Sequence, residues 1–187
     1  QLSGNRFDFG VGISPWEEDF AVCGVPWERR GKRFDEQLAI LKGLESGDFF
    51  SFEGEMHTMP ANKMCPAPTA PTPILMGGHS DPALKRAARI GDGWMCAGAD
   101  MAQLTDYITK LNQWREEYGT ADQPFKIFTT GQNAFTPEGI AELEALGVTD
   151  VVIAFRNVYE LEPDHSFEKK IQMLNWYAAE FIGPHRA

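Results

Sequence analysis

From Pro73 onwards the chain alternates short apolar runs with helical sequence, and that rhythm limits it to a parallel sheet packed against helices. Ile74-Leu75-Met76 reads as a short buried strand. A helix is expected over 81–90, with Pro82 near its start and Gly91 as its stop. Trp94-Met95-Cys96-Ala97 is the next strand, and 102–118 is a helix with Leu104, Ile108, Leu111 and Trp114 on one face. A strand over 125–130 follows. Thr136-Pro137 caps a helix that ends at Gly147, and Val151-Val152-Ile153-Ala154-Phe155 is a further apolar strand. Phe167, Ile171, Leu174, Ala178 and Phe181 mark the last helix at helical spacing.

The first part of the chain fits the same scheme with one excursion. Phe7-Asp8-Phe9-Gly10-Val11-Gly12 alternates as a strand does, and Ser14-Pro15 reads as an N-cap followed by Pro at the first helical position. A long helix is expected over 33–45, its face formed by Phe34, Leu38, Leu41 and Leu44. A small hairpin over 49–59 turns at Glu53-Gly54-Glu55. Pro60, Pro66, Pro68, Pro71 and Pro73 then punctuate an extended connection that cannot be helical. The total is five strands, each followed by helical sequence. Periodicity alone fits an open doubly wound sheet of flavodoxin type as well as an arc of a barrel.

The 187 residues suit a single domain spanning 1–187. A formal net charge of −10 argues against nucleic acid and anionic membrane surfaces, which need clustered Lys and Arg. No apolar run reaches the length of a membrane span. Cys23, Cys65 and Cys96 are odd in number and form no C-x-x-C pair, which fits a reducing cytoplasm better than a disulfide scaffold. The chain opens on Gln1 and enters strand-like sequence at Phe7, so the expected start lies upstream.

In either architecture ligands bind at the carboxyl ends of the strands, and three such ends are rich in small residues. Gly10-Val11-Gly12 places two glycines on one side of a strand, leaving room for a ligand or marking a crowded interior. Gly77-Gly78-His79-Ser80 lies between a strand and a helix start. There the backbone can approach an anion closely, and free amides with the Ser80 hydroxyl can hold phosphate oxygens. The plainer reading is a tight turn in which Ser80 or Asp81 is the N-cap, and the Asp81 charge opposes an anion. His79 alone reads as a loop residue. Ala97-Gly98-Ala99 ends the next strand, beside the second site.

His57, His79, His165 and His185 show no metal-ligand spacing, so no metal site is expected. No G-x-S-x-G elbow is present, and no G-x-G-x-x-G opens a helix. Glu17-Glu18-Asp19 reads as favourable charge at a helix start, and Glu28-Arg29-Arg30 with Lys32-Arg33 as a salt-bridged, solvated face. The tryptophans read as core or pocket wall. No catalytic base is identified. Lys126 and Arg156, near the last two strands, are candidates for an anionic substrate, with surface or structural roles the stronger expectation for both.

Several stretches together resemble the luciferase-like monooxygenase superfamily. They are Gly10-Val11-Gly12, the segment 20–35 with Cys23-Gly24-Val25-Pro26 and Glu28-Arg29-Arg30-Gly31, and the hairpin Phe52-Glu53-Gly54-Glu55. The most specific is Pro73-Ile74-Leu75-Met76-Gly77-Gly78-His79-Ser80 followed by 83–94, which is similar to members that depend on the deazaflavin coenzyme F-420. The resemblance implies a (β/α)₈ barrel, represented here by about five strands, with the first strand corresponding to the family's fourth. It also implies a cofactor across the carboxyl end of the barrel. Carried over residue by residue, Gly10, Val11 and Gly12 would line its side chain, Gly77, Gly78, His79 and Ser80 would hold its phosphate, and Ala97 and Gly98 would neighbour it. Three strand–helix units that the family places before Ser3 are absent, and with them part of the wall that binds the ring.

The expected function is that of an oxidoreductase using coenzyme F-420, with FMN as the alternative, acting on a small-molecule substrate as a homodimer or higher oligomer. A non-catalytic cofactor-binding or oligomeric protein built from a truncated barrel is the competing reading. A partial gene product is the third.

Overall fold

The computed structural model describes residues 3–131, 133–156 and 165–183. Strand β1 (Phe9–Val11) is followed by helices α1 (Glu17–Val22) and α2 (Arg30–Leu44), then by strands β2 (Phe50–Glu53) and β3 (Thr58–Asn62). The remainder alternates strictly: β4 (Ile74–Gly77), α3 (Asp81–Ile90), β5 (Gly93–Cys96), α4 (Met101–Glu117), β6 (Lys126–Thr130), α5 (Pro137–Ala145), β7 (Asp150–Val152) and α6 (Phe167–Tyr177). Helix α6 runs on into a π-helical turn over Ala178–Ile182.

Strands β1, β4, β5, β6 and β7 form one parallel sheet in that order, and β2 pairs with β3 in a separate antiparallel hairpin. Strand order follows chain order, with no reversal of the kind that defines a flavodoxin-like sheet. Each unit is laid beside the last, as in an arc of a (β/α)₈ barrel.

The two faces of the arc differ. Ile74, Met76, Trp94, Cys96 and Ile127 point outwards and join Leu84, Leu104, Ile108 and Leu111 in the buried core beneath the helices. Burial of each large apolar side chain contributes about 1.5–3 kcal/mol. Alternation along the strands turns Met95, Phe128 and Thr130 the other way, towards the barrel interior, where they are only half-buried. Trp94 is wholly buried and Met95 is not, and this contrast fixes which face is which.

Polar contacts lock the helices and the excursion to this core. Buried Arg86 of α3 donates to Asp35 of α2 at 2.6 Å and to the Gly31 carbonyl at 3.3 Å. The Glu36 carboxylate of α2 accepts from the backbone amides of Glu55, Met56 and His57, so α2 holds the hairpin turn. Arg29 and Lys32 both pair with Glu55 from the same helix region. The basic segment is thus the salt-bridged, solvated face expected from the sequence, with Glu55 of the hairpin turn as the shared partner of Arg29 and Lys32.

Several local expectations shift. Helix α1 begins at Glu17, with Trp16 and not Ser14 at its N-cap. The Ser14 hydroxyl instead accepts from the Trp16 amide and donates to Asp19, forming a side-chain turn ahead of the helix. The hairpin's second strand continues through Pro60 to Asn62. It tolerates the proline because the register shifts by one residue opposite it, between Phe50 and Phe52. Strand β7 stops at Val152, so Ile153 to Phe155 lie beyond the ladder. Along α6 the apolar side chains Phe167, Ile171 and Leu174 are exposed rather than packed.

Lys126 stands at the start of β6 and pairs with Asp8, just before β1. Hydrogen bonding to Asp8 raises its pKa against the opposing effect of burial, with further support from the Asp8 and Asp150 charges. It therefore staples the amino-terminal end of the arc, away from the strand ends where a ligand would bind. Arg156 is exposed just beyond β7.

Candidate functional site

The carboxyl ends of β1, β4 and β5 are adjacent in the sheet, and each hands over to nearly bare backbone. Gly12 follows β1, Gly77 closes β4, and Ala97-Gly98 follows β5. A side-chain carbon added to Gly12 would stand 3.8 Å from the Gly77 Cα, and one on Gly77 would stand 3.4 Å from the Val11 carbonyl oxygen. One on Gly98 would meet nothing nearer than the Thr130 hydroxyl at 4.0 Å. The three glycine-bearing ends expected from the sequence are thus neighbours along the carboxyl edge of the sheet.

Not every residue of those runs faces open space. Gly10 does not leave empty space, because the Met95 sulfur lies 3.1 Å from where its side-chain carbon would be. Met95 points into the barrel interior, and the room at Gly10 is room for that thioether. Val11 packs against the outer core. Ala97 is exposed at the rim.

The turn from β4 into α3 has the most defined geometry. Gly78 adopts φ of +116°, a conformation left almost entirely to glycine, and an added Cβ would come within 2.8 Å of Ala83. The wholly buried Trp94 fixes this turn from behind: its indole nitrogen donates to the Gly78 carbonyl at 2.8 Å. Ser80 is the N-cap of α3, yet its hydroxyl makes no capping hydrogen bond. Pro82 carries no amide hydrogen, and the Ala83 and Leu84 amides turn back to the Ser80 carbonyl. The amides from Gly78 to Asp81 and the Ser80 hydroxyl are the groups left to meet a ligand. The Asp81 charge is partly offset by the Lys110 ammonium at 3.7 Å.

The His79 ring is stacked flat on Tyr107 of α4, with centroids 5.1 Å apart and 3° between planes, and its Nε2 lies 3.5 Å from the Cys96 sulfur. Both partners are on the helix side of the sheet. The imidazole is therefore a support behind the turn. Burial holds its pKa below the ordinary histidine value, favouring the neutral ring. Burial also pushes the Cys96 thiol up, against hydrogen bonding with Thr129 and the Gly98 backbone, so Cys96 is not primed as a thiolate.

The support formed by Trp94, Tyr107 and Cys96 was not legible as such. Trp94 reads only as core or pocket wall, and Tyr107 lies on a helix whose apolar face is sufficiently explained by Leu104, Ile108 and Leu111. Among the described residues no cluster of His, Cys, Asp and Glu could hold a metal ion. No helix among them is long and apolar enough to cross a membrane.

A family model described as luciferase-like monooxygenase matches residues 1–174. The Mycobacterium tuberculosis protein Rv0940c, itself uncharacterized, is 47% identical over 182 residues, covering 97% of this chain and 62% of its own length. The chain thus spans less than two thirds of that relative. An FMNH(2)-dependent dimethylsulfone monooxygenase of Pseudomonas putida is 30% identical over 160 residues, covering 82% of this chain and 42% of the relative. Among solved structures, the coenzyme F420-dependent tetrahydromethanopterin reductase of Methanopyrus kandleri superposes with a TM-score of 0.73. It covers 100% of this chain and 76% of that one at 15% identity, a likeness of fold.

Proposed function

The chain belongs to the luciferase-like monooxygenase family, and on that footing we propose that it carries the phosphate-binding side of a redox cofactor site, with coenzyme F-420 as cofactor and FMN as the alternative. The observation that carries this reading is the Gly77–Ser80 turn. Its backbone is forced by Gly78 into a conformation that ordinary side chains avoid, its carbonyl is tied back by Trp94, and its amides and an uncommitted hydroxyl are left at a helix start. Preorganised amides of this kind suit a phosphate, and glycine on three neighbouring strand ends leaves space for a flat ring system above them.

When bound, such a cofactor supplies hydride transfer, or oxygen activation in the case of reduced FMN. The contribution of this chain is to hold and orient it. Gly78 to Ser80 would take the phosphate, Gly12 and Gly77 would allow close approach of the cofactor's side chain, and Ala97-Gly98 would border it. The Met95 thioether would form the floor. No residue of the chain is assigned as a base or acid. The substrate is a small molecule.

The two sheet edges that are open among the described residues, β1 and β7, support a second part of the proposal: residues 1–187 by themselves cover the edges by pairing as a homodimer. The cofactor choice is tested by titrating the protein, at the full length at which it is encoded, with coenzyme F-420 and with FMN. Tighter binding of the deazaflavin is expected. Binding of FMN alone would overturn that choice and leave the family assignment intact.

A further inference from the structure

A cleft of about 300 Å³ opens beside Gly12, between the loop that follows β1 and helices α1 and α2. Its volume is at the lower end of the range for small-molecule sites. The walls are largely apolar, from Ile13, Phe20, Val25 and Phe34. Phe20 packs edge-on against Trp27 with ring centroids 5.0 Å apart, which stiffens one wall. Arg33 stiffens the next, donating to the Pro26 carbonyl at 2.8 Å and the Glu28 carbonyl at 3.2 Å.

Arg30 is different. Its guanidinium carbon lies 3.5 Å over the Trp27 ring, so the planar group is held flat by cation–π stacking. Among the described residues its side chain has no ion-pair partner within 4.0 Å and donates no hydrogen bond, and Arg30 is one of the residues that line the cleft. The cleft also contains one carboxylate, Asp19, which already accepts from the Ser14 hydroxyl at 2.5 Å. Two guanidinium groups against one carboxylate leave the lining positive, on a chain whose formal net charge is −10.

We infer that this cleft binds a small apolar molecule bearing a carboxylate, whose two oxygens meet the edge of the Arg30 guanidinium while its hydrocarbon part lies against Phe20, Val25 and Phe34. A stacked guanidinium is preorganised for bidentate recognition, and the apolar walls strengthen the charge-assisted hydrogen bonds. Because Gly12 borders both this cleft and Gly77, the molecule lies next to the strand ends. Its assignment as the substrate rests on the cofactor reading above, whereas the binding itself does not.

The test uses 4-phenylbutyrate and 4-phenyl-1-butanol, which differ in the charged group, titrated by calorimetry and followed by ¹H–¹⁵N spectra without cofactor. The acid is expected to bind about tenfold more tightly than the alcohol. Arg30→Gln should remove that advantage and leave the alcohol unchanged, while Gly78→Val, on the cofactor turn, should leave the preference for the acid in place. In the unsubstituted protein the acid should shift the Arg30 Nε–H and Trp27 indole signals. Equal affinity for acid and alcohol, or binding that leaves those two signals in place, would overturn the inference whether or not Arg30→Gln folds. Acid binding that persists undiminished in a folded Arg30→Gln variant would do the same.

Discussion

The indole nitrogen of Trp94 donates to the carbonyl oxygen of Gly78 at 2.8 Å, joining the centre of the hydrophobic core to the turn that opens α3. A core side chain thereby sets the direction in which the following amides point. Replacing Trp94 with Phe keeps most of the apolar burial and removes the donor. Stability should fall by about 1–3 kcal/mol, the cost of leaving a carbonyl without its partner. Cofactor affinity should fall about tenfold as the turn loosens. Urea unfolding and a cofactor titration measure the two effects, and unchanged affinity would show that the turn does not need this tether.

Gly78→Val tests the turn itself. From the bare sequence the substitution should abolish cofactor binding with little loss of fold. The φ of +116° and the approach to Ala83 add a structural penalty of about 1–3 kcal/mol. The expected result is a folded protein with a lowered melting temperature and no measurable cofactor binding. Native affinity in this variant would remove the turn from the site.

How far the sequence discloses this molecule depends on the kind of contact involved. The five strands and their helices are legible because burial imposes a period, and Gly91, Thr136 and Pro137 mark helix ends through local backbone chemistry. The glycine runs at 10–12, 77–78 and 98 are legible as strand ends. What fills the space beside them is not, since Met95 reaches Gly10 only through sheet geometry. Likewise His79 reads as a loop residue because its partners, Cys96 and Tyr107, lie 17 and 28 positions further along the chain. The exposed face of α6 is not legible either: its periodicity states which side is apolar, not whether anything covers it.

The Glu36 carboxylate provides a pH-dependent contact. Burial raises its pKa, but hydrogen bonds from the His57 side chain and from the Met56 and His57 amides outweigh that effect, and the net shift is downwards from the ordinary value of 4.5. A lowered folded-state pKa means that the contact's stabilisation is fully present above about pH 4.5 and is lost as pH falls through the lowered value. The amide signals of Met56 and His57 should therefore titrate with a midpoint below 4.5. A midpoint at or above 4.5 would mean that the carboxylate does not hold the hairpin turn.

The sheet edges lead to a prediction about association. Among the described residues strands β1 and β7 each have one unpaired side, Phe7 and Phe9 are exposed at the first, and Val152 is exposed on the second. Unpaired backbone beside apolar side chains favours pairing with another chain. Residues 1–187 expressed alone should run as a dimer in multi-angle light scattering, with weak cofactor affinity. A monomer that binds cofactor tightly would contradict this account of the edges.

The central claim is that the Gly77–Ser80 turn holds the cofactor's phosphate. A crystal structure of the full-length protein with coenzyme F-420 tests it most directly. The account predicts a phosphate oxygen within about 2.7–3.2 Å of backbone amides between Gly78 and Ser80, with the His79 ring still stacked on Tyr107. A bound cofactor whose phosphate lies elsewhere, with this turn facing solvent, would contradict it.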